Sequence, residues 1–374
     1  MQQIIYLKNK GVLYAFVFLC SILVSGCKTL QNTEAIDDVN VYNAAVQRQT
    51  QIKNTVTAQA ETKAVLADKE DDDAADDPAI WVHPTQPEKS VIYGSNKKYG
   101  IHTYGLSGKE LQFIKYAKIN NVDVRQGVIM GGKTYDILAG SNRSDKSVDI
   151  FIIDDDGKIA NQPDYVIDLV DMNPYGFCLY KDKNDKAYAF VNDKKGNVLQ
   201  FSIDLDANKN FIAKNERQFK LHSQVEGMVA DDANEILYVG EEMVGIHVFS
   251  ADPKGSKRSI FMQGSTDKNP NIEFDIEGLA LLPPHYLVAS SQGNFTYAIF
   301  DTRTKDYIIS FKVVSKTFDG IEETDGLDIY YGNLGKDYPQ GIFVAQDGFN
   351  YDGEVKKTQN FKIVDLREIT KFLK

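Results

Sequence analysis

From about residue 61 onward, short apolar runs separated by polar turns dominate the chain. Runs rich in Val, Ile, Tyr and Phe alternate with turns rich in Gly, Asn and Asp, and the 3.6-residue spacing of an amphipathic helix is weak. Helical spacing is found near Leu366 to Leu373. The pattern therefore predicts a domain that is mostly β-structure.

A strand that carries an aromatic residue and leads into a polar turn recurs along this domain. Its aromatic positions, separated by 47, 50, 48 and 51 residues, are Tyr104, Phe151, Phe201, Phe249 and Phe300. Four short strands with their turns occupy about fifty residues, the length of one blade of a β-propeller. Roughly 310 residues follow the N-terminal segment, so we expect an all-β fold, a six-bladed β-propeller with four-stranded antiparallel blades. A β-sandwich would not show so even a period.

The N-terminus has the features of an export signal. Lys8 and Lys10 precede an apolar run from Gly11 to Val24, and Val24-Ser25-Gly26-Cys27 has the form of a lipobox. The run is short for a membrane-spanning helix, and polar sequence follows it at once. It therefore predicts a lipoprotein signal peptide over 1–27, with lipid on Cys27, in preference to an uncleaved anchor helix.

Residues 28–60 are rich in Gln, Asn, Thr and Ala and contain few aromatic residues, a composition typical of a flexible tether. We therefore expect the folded domain to occupy 61–374. The mature protein would be a monomer of the cell envelope, on the periplasmic or surface side, that meets the membrane only through its lipid. Cys178 would have no disulfide partner and would be a buried structural thiol.

Charge limits the possible partners. The chain has 42 Lys and Arg against 53 Asp and Glu, a formal net charge of −11. Affinity for nucleic acid comes mainly from basic side chains that displace counterions, so no nucleic-acid partner is expected. An anionic substrate can still bind if cations bridge it to the acidic protein.

No motif for covalent catalysis or for zinc is present. The sequence lacks the Gly-x-Ser-x-Gly elbow, the His-Glu-x-x-His motif and the motifs of histidine and cysteine phosphatases. Its five histidines are scattered without the spacing of metal ligands.

Carboxylates recur instead at the ends of short strands, beside small residues, as in Glu226-Gly227 and Thr324-Asp325-Gly326. One acidic turn is ordinary turn chemistry. The loops of a propeller converge on one end of its axis, however, where carboxylates of different blades would repel one another unless cations neutralised them. Calcium, a hard cation with oxygen ligands, is the expected occupant. Lys and Arg at comparable turns suggest that a polyanion is bound there by both calcium and basic side chains.

Two stretches of the sequence resemble the signature motifs of the β-propeller phytases. These are Asp73-Ala74-Ala75-Asp76-Asp77-Pro78-Ala79-Ile80-Trp81 and Asn120-Asn121-Val122-Asp123-Val124-Arg125-Gln126. Further matches follow in the same order, among them Ser95-Asn96-Lys97-Lys98, Ser141-Asn142-Arg143-Ser144, Glu226-Gly227-Met228 and Asp275-Ile276-Glu277-Gly278-Leu279. The similarity covers about residues 61 to 370.

The resemblance implies a calcium-dependent 3-phytase, a phosphomonoesterase that releases phosphate from phytate (myo-inositol hexakisphosphate) and uses several calcium ions. The implied calcium ligands are Asp76, Asp77, Glu226, Glu241, Asp275, Glu277, Gln292, Asp319, Asp325 and, near the N-terminus, Glu61. Glu241 and its neighbour Glu242 compete for one of these positions. The implied phosphate contacts are Lys97, Lys98, Arg143, Tyr175 and Lys194. Glu226, Lys97, Arg143 and Tyr175 are expected to be catalytic.

These residues are consistent with metal-assisted attack of water on phosphorus, without a phosphoenzyme. Two other classes of function stay open. A non-catalytic surface propeller could bind a partner through its axial face. A calcium-dependent hydrolase of the propeller lactonase type would instead favour a single ion, Asn ligands and an apolar substrate pocket.

Overall fold

The computed structural model describes residues 40–70, 72–263 and 272–373. The chain divides into two units, Met1–Thr50 and Gln51–Lys374. In the first unit, residues 40–49 are helical (α1). No helix in the described part of the chain is long and apolar enough to cross a membrane. The signal peptide and the lipidation of Cys27 predicted from the sequence lie outside the described residues.

The second unit consists of β-sheets that are almost entirely antiparallel, and most of their strands follow one another along the chain. Four of the sheets contain four strands each. The first sheet contains β2 (Ala75–Trp81), β3 (Val91–Asn96), β4 (Gly100–Gly105) and β5 (Glu110–Lys115), and the second contains β6 (Ile119–Met130), β7 (Lys133–Asn142), β8 (Ser147–Ile153) and β9 (Tyr165–Asp168). The third sheet contains β10 (Phe177–Lys181), β11 (Ala187–Asn192), β12 (Asn197–Leu205) and β13 (Phe211–Lys220). The fourth contains β14 (Val225–Asp231), β15 (Ile236–Glu241), β16 (Gly245–Ser250) and β17 (Ile260–Gln263).

A larger sheet has eight strands in the order β18-β19-β20-β21-β1-β26-β23-β22. Its strands are β1 (Thr55–Glu61), β18 (Leu279–Leu282), β19 (Tyr286–Ser291), β20 (Thr296–Asp301), β21 (Tyr307–Val314), β22 (Leu327–Tyr331), β23 (Gly341–Asp347) and β26 (Asn360–Asp365). The remaining elements are a small hairpin of β24 (Tyr351–Asp352) and β25 (Val355–Lys356), two 3₁₀ turns at Pro87–Lys89 and Gln292–Asn294, and the helix α2 (Arg367–Thr370). α2 lies where the sequence has helical spacing.

The eight-stranded sheet comprises two groups of four strands joined through β1. β1 pairs antiparallel with β26 and parallel with β21. The first strands of successive groups also touch, from β2 through β6, β10, β14 and β18 to β22, and β22 contacts β2 again. This closed arrangement of four-stranded antiparallel groups is consistent with a β-propeller.

β1 corrects the predicted domain boundary. It lies within 28–60, the segment predicted to be a tether, and the folded unit begins at Gln51 instead of 61. Val56 and Ala58 are its buried apolar side chains, because they alternate along the strand and face the core of the last sheet. The strands that pair with β1 come more than 240 residues later in the chain, so a local composition argument did not detect it.

The aromatic repeat marks the third strand of the first five groups. Tyr104, Phe151, Phe201, Phe249 and Phe300 lie in β4, β8, β12, β16 and β20. Each is at most 8% exposed. Within the described ranges, six apolar clusters fill the spaces between neighbouring groups. Cys178 is buried in one of them and burial raises its pKa, as expected for a structural thiol.

Candidate active site

The second strand of each group ends at a buried polar residue. These residues are Asn96, Asn142, Asn192, Glu241, Ser291 and Asp347, and none is more than 1% exposed. The residue that follows each of them leaves the strand at the same end of the sheets. Those residues are Lys97, Arg143, Asp193, Glu242, Gln292 and Gly348.

A second set of side chains, one from each group, comes from the first strands or from two residues before them. We call this set the inner ring: Asp76, Asn120, Tyr175, Glu226, Glu277 and Asp325. In β2, β6 and β14 the ring residue stands at a break in the pairing register, immediately after a paired residue. In the other three groups the residue after the ring residue is glycine, and glycine also follows Glu226 in β14. A Cβ on Gly227 would lie 1.8 Å from the carbonyl oxygen of Glu277. Glycine is therefore needed for neighbouring first strands to approach this closely.

Three carboxylates meet within the ring region. Glu226, Glu242 and Glu277 each place an oxygen within 4.8 Å of the other two, and all three residues are buried. Burial raises the pKa of Glu242 to about 7. The pKa of Glu277 is raised well above its usual value, first by burial and then by the charge of Glu226.

Several buried oxygens here have no hydrogen-bond partner in the described structure. They are Oδ2 of Asp76, Oε1 of Glu242, Oδ1 of Asp275 and Oε2 of Glu277. A buried carboxylate oxygen without a partner is costly unless a cation neutralises it. The donor set of clustered carboxylate oxygens therefore fits a hard divalent cation.

A lysine lies beside these carboxylates. Nζ of Lys97 is 3.1 Å from Oδ2 of Asp325, 2.6 Å from Oδ1 of Asp73 and 3.9 Å from Oδ2 of Asp76. Burial lowers the pKa of Lys97, but the surrounding carboxylates outweigh burial and raise it well above its usual value. Gln292 Nε2 donates to the other oxygen of Asp325 at 2.6 Å. Lys97 is thus held charged at the edge of the cluster.

Asn120 connects the cluster to an arginine. Its Nδ2 donates to Oε1 of Glu226 at 2.7 Å, and its Oδ1 accepts from Nη1 of Arg143 at 3.0 Å. Asn120 is fully buried, whereas Arg143 is exposed. The side chains of a candidate metal ligand and a candidate phosphate contact are therefore fixed to each other through one amide.

A cavity of about 380 Å³ opens beside Arg143 and is also lined by Tyr175, Lys194 and Lys195. Nζ of Lys194 lies 4.1 Å from the centre of the Tyr175 ring. Burial, then the charges of Glu226 and Glu277, raise the pKa of Tyr175, so its hydroxyl stays protonated. Asp171 and Asp193 also line the cavity. Its three cations can nevertheless offer charged donors to a polyanion.

Three predicted site residues lie outside this cluster or at its border. Glu241 accepts from the backbone N–H and the hydroxyl of Ser223 and lies 2.8 Å from Nε2 of His247. Its neighbour Glu242, the alternative that the sequence left open, lies in the cluster instead. The carboxylate of Asp77 accepts from the backbone N–H of Val122 and lines a separate small cavity between the first strands. Lys98 is more exposed, with Nζ 3.9 Å from Asp72.

Glu61 and Asp319 lie in a different acidic cluster, which contains its own cation. Nζ of Lys362 is 2.6 Å from Oε2 of Glu61, 3.1 Å from Oδ2 of Asp347 and in direct contact with Asp319. Lys362 is completely buried. The structure thus places an ammonium group where the sequence predicted that Glu61 and Asp319 bind calcium.

Sequence reasoning gave no role to Asn120 or Lys362, and it left the choice between Glu241 and Glu242 open. Asn120 lies in the second of the two signature motifs but was assigned no role. Counting one residue beyond the end of each second strand would have selected Glu242, because Lys97 and Arg143 hold the same position in their groups. No local signal distinguishes Lys362 from a surface lysine.

The comparisons with known proteins agree with this geometry. The model of the family described as Phytase matches residues 22–374. This chain belongs to the phytase family. It is 41% identical over 331 residues to the 3-phytase of Bacillus subtilis (strain 168), and the match covers 85% of each protein. Among solved structures, a luciferin-regenerating enzyme is similar with a TM-score of 0.53 and 10% identity, over 78% of this chain and 92% of that one. That likeness concerns the fold alone.

Proposed function

We propose that this chain is a calcium-dependent 3-phytase, a phosphoric monoester hydrolase that releases phosphate from phytate. The observation that carries the proposal is the contact between buried carboxylates and basic side chains. Asp76, whose buried Oδ2 has no hydrogen-bond partner, lies next to Lys97, and Asn120 links the carboxylate of Glu226 to Arg143. Membership of the phytase family and the 3-phytase relative support the choice of substrate.

We further propose that the fold is a six-bladed propeller. Six groups of four strands support this count, with β22, β23, β26 and β1 as the sixth. The N-terminal strand β1 would close the circle by completing the blade that the C-terminal strand β26 belongs to. The inner ring then contributes one side chain from each blade.

The residues suited to hold calcium are Asp76, Glu226, Glu242, Asp275, Glu277, Gln292 and Asp325. Bound calcium would offset the charge of the phosphate and make a coordinated water a better nucleophile. Glu226 is held in place by Asn120. Glu242, which has an oxygen without a partner in the cluster, is suited to accept a proton from the attacking water.

The basic side chains would bind and orient the substrate. Lys97 and Arg143 would hold oxygens of the phosphate that is cleaved, since charged donors form the strongest hydrogen bonds to phosphate. Tyr175, as a protonated hydroxyl, would donate to a phosphate oxygen. Lys194 would bind a neighbouring phosphate of the same inositol ring in the cavity beside Arg143.

We also propose that the protein is exported and anchored in the cell envelope by lipid on Cys27, and that it acts as a monomer. The lipobox and the apolar run before it support the anchor.

Phosphate release from phytate by the full chain, measured in calcium and in excess chelator, tests the function. We expect release in calcium and none in chelator. A lactone substrate and Lys97→Ala are included in parallel. Hydrolysis of the lactone without phosphate release would favour a lactonase-like enzyme, and inactivity on both substrates would favour a binding protein.

A further inference from the structure

Asn96, the last residue of β3, holds the turn that carries Lys97 and Lys98. Its Oδ1 accepts from the backbone N–H groups of Lys98 at 2.9 Å and Tyr99 at 3.0 Å. The backbone N–H of Lys97 donates to the carbonyl oxygen of Ala74 at 2.7 Å. The start of the turn is thus fixed by three hydrogen bonds, and Asn96 itself is completely buried.

The other end of the Asn96 amide is fixed by Leu66 and by His102 of β4. Its Nδ2 donates to the carbonyl oxygen of Leu66 at 2.8 Å and lies 3.2 Å from Nε2 of His102. Since an amide nitrogen only donates, Nε2 of His102 accepts, and Nδ1 carries the proton that is donated to Glu110 at 3.0 Å. Burial lowers the pKa of His102, which favours this neutral ring.

The next group repeats the arrangement. Oδ1 of Asn142, the last residue of β7, accepts from the backbone N–H groups of Ser144 at 2.8 Å and Asp145 at 3.2 Å. Its Nδ2 donates to Oδ2 of Asp149 on β8 at 2.8 Å. The turn fixed in this way begins with Arg143.

We propose that Asn96 and Asn142 are positioning residues for phosphate binding, which hold Lys97 and Arg143 through the turns that those cations begin. The third strand sets the orientation of each amide, through His102 in one group and Asp149 in the other. If either amide rotated by half a turn, its NH₂ group would face two backbone N–H donors and the turn would open. The inference rests on the proposed function for the identity of the anion.

Phytate kinetics of the two alanine variants test the proposal. Asn96→Ala and Asn142→Ala should raise KM for phytate more than they lower kcat, with kcat/KM falling roughly 10- to 100-fold, because a displaced cation binds phosphate poorly. The calcium concentration for half-maximal rate should not change, since the candidate ligands lie on other residues. Asp206→Ala is the matched control. Asp206 also accepts from two backbone N–H groups of a turn, at 2.8 Å each, but that turn carries no candidate site residue.

The aspartate variants separate positioning from general stability. Asn96→Asp keeps the acceptor, and His102 can take a proton on Nε2 and pair with the new carboxylate, but the hydrogen bond to the carbonyl oxygen of Leu66 is lost. Asn142→Asp places a carboxylate against Asp149, so the two repel. Asn96→Asp should therefore recover part of the lost kcat/KM, whereas Asn142→Asp should not.

Chemical labelling of Lys97 needs no substrate, so it tests the positioning role independently of the proposed phytase function. The side chain of Lys97 is 10% exposed, so acetic anhydride should modify it slowly in the wild type and faster in Asn96→Ala, as followed by mass spectrometry. A wild type that releases no phosphate overturns the proposed function but leaves this measurement valid. The positioning role would be overturned if Asn96→Ala had the KM and the Lys97 labelling rate of the wild type. It would also be overturned if the two aspartate variants recovered kcat/KM equally.

Discussion

Glu241 and Glu242 are adjacent in the chain, yet their carboxylates have different partners. An oxygen of Glu241 lies 2.8 Å from Nε2 of His247, within its own sheet. Glu242 shares a cluster with Glu226 and Glu277. The difference follows from the end of β15, since Glu241 is its last residue and Glu242 begins the turn.

Exchanging each glutamate for glutamine should therefore have different effects. Glu242→Gln removes a charge from the carboxylate cluster, so kcat should fall roughly 10²-fold and the calcium requirement should rise. Glu241→Gln weakens charge-assisted hydrogen bonds to Ser223 and His247, so it should lower the free energy of unfolding by about 1–3 kcal/mol and leave kcat within a few-fold. Phytate kinetics and denaturant unfolding of both variants measure this. Equal losses of kcat would contradict the assignment.

Lys362 should be a major determinant of stability. Lys362→Met leaves Glu61, Asp319 and Asp347 buried or half-buried without their cation, so unfolding free energy should fall by about 3–5 kcal/mol. Calcium should restore part of this loss, because three carboxylates then offer a site for a hard cation.

Lys214→Met is the control for that experiment. Lys214 pairs with Glu216 at 2.8 Å, but its side chain is 70% exposed, so the loss should stay below about 1 kcal/mol. Denaturant unfolding with and without calcium compares the two variants. A similar small loss in both would show that the buried ammonium does not hold the cluster together.

The stability of the calcium-free protein should depend on pH in an unusual direction. Burial raises the pKa values of Asp325 and Glu242 to about 7, so between about pH 4 and pH 7 the folded chain binds more protons than the unfolded chain. Stability contributed by these groups is present at low pH and is lost as pH rises to about 7. With calcium, which binds the deprotonated carboxylates, the slope should reverse. Melting temperatures in chelator that rise steadily from pH 4.5 to pH 7.5 would contradict this.

Cys27→Ala tests the anchor. Without the cysteine no lipid can be attached, so the protein should move from the membrane fraction to the soluble fraction of the cell envelope. Fractionation and mass spectrometry of the mature N-terminus measure this. A wild-type protein that carries no acyl chain would refute the lipoprotein interpretation.

The sequence predicted the repeating unit well because the signal is local. Aromatic residues of the third strands, such as Phe151 and Phe300, recur at an even spacing since each fills the same position between sheets. β1 was missed because only Val56 and Ala58 of its side chains are buried apolar residues, and its pairing depends on strands at the far end of the chain.

For the site, the sequence predicted which residue types meet but not all of their partners. The carboxylates of Glu226 and Glu277 do meet, and Lys97 lies beside Asp325. That Glu61 and Asp319 contact Lys362 depends on three segments that converge only in the folded chain.

The central claim is that the carboxylate cluster and the cations beside it form one calcium-dependent phosphate-releasing centre. Initial rates of phosphate release from phytate, measured across a calcium titration for the wild type, Glu226→Gln and Arg143→Ala, test it most directly. The wild type should be inactive in excess chelator. Glu226→Gln should show a severely reduced kcat that added calcium partly restores. Arg143→Ala should lose about 10- to 150-fold in kcat/KM, which calcium does not restore. Undiminished wild-type release in chelator, or equal restoration of both variants by calcium, would contradict the account.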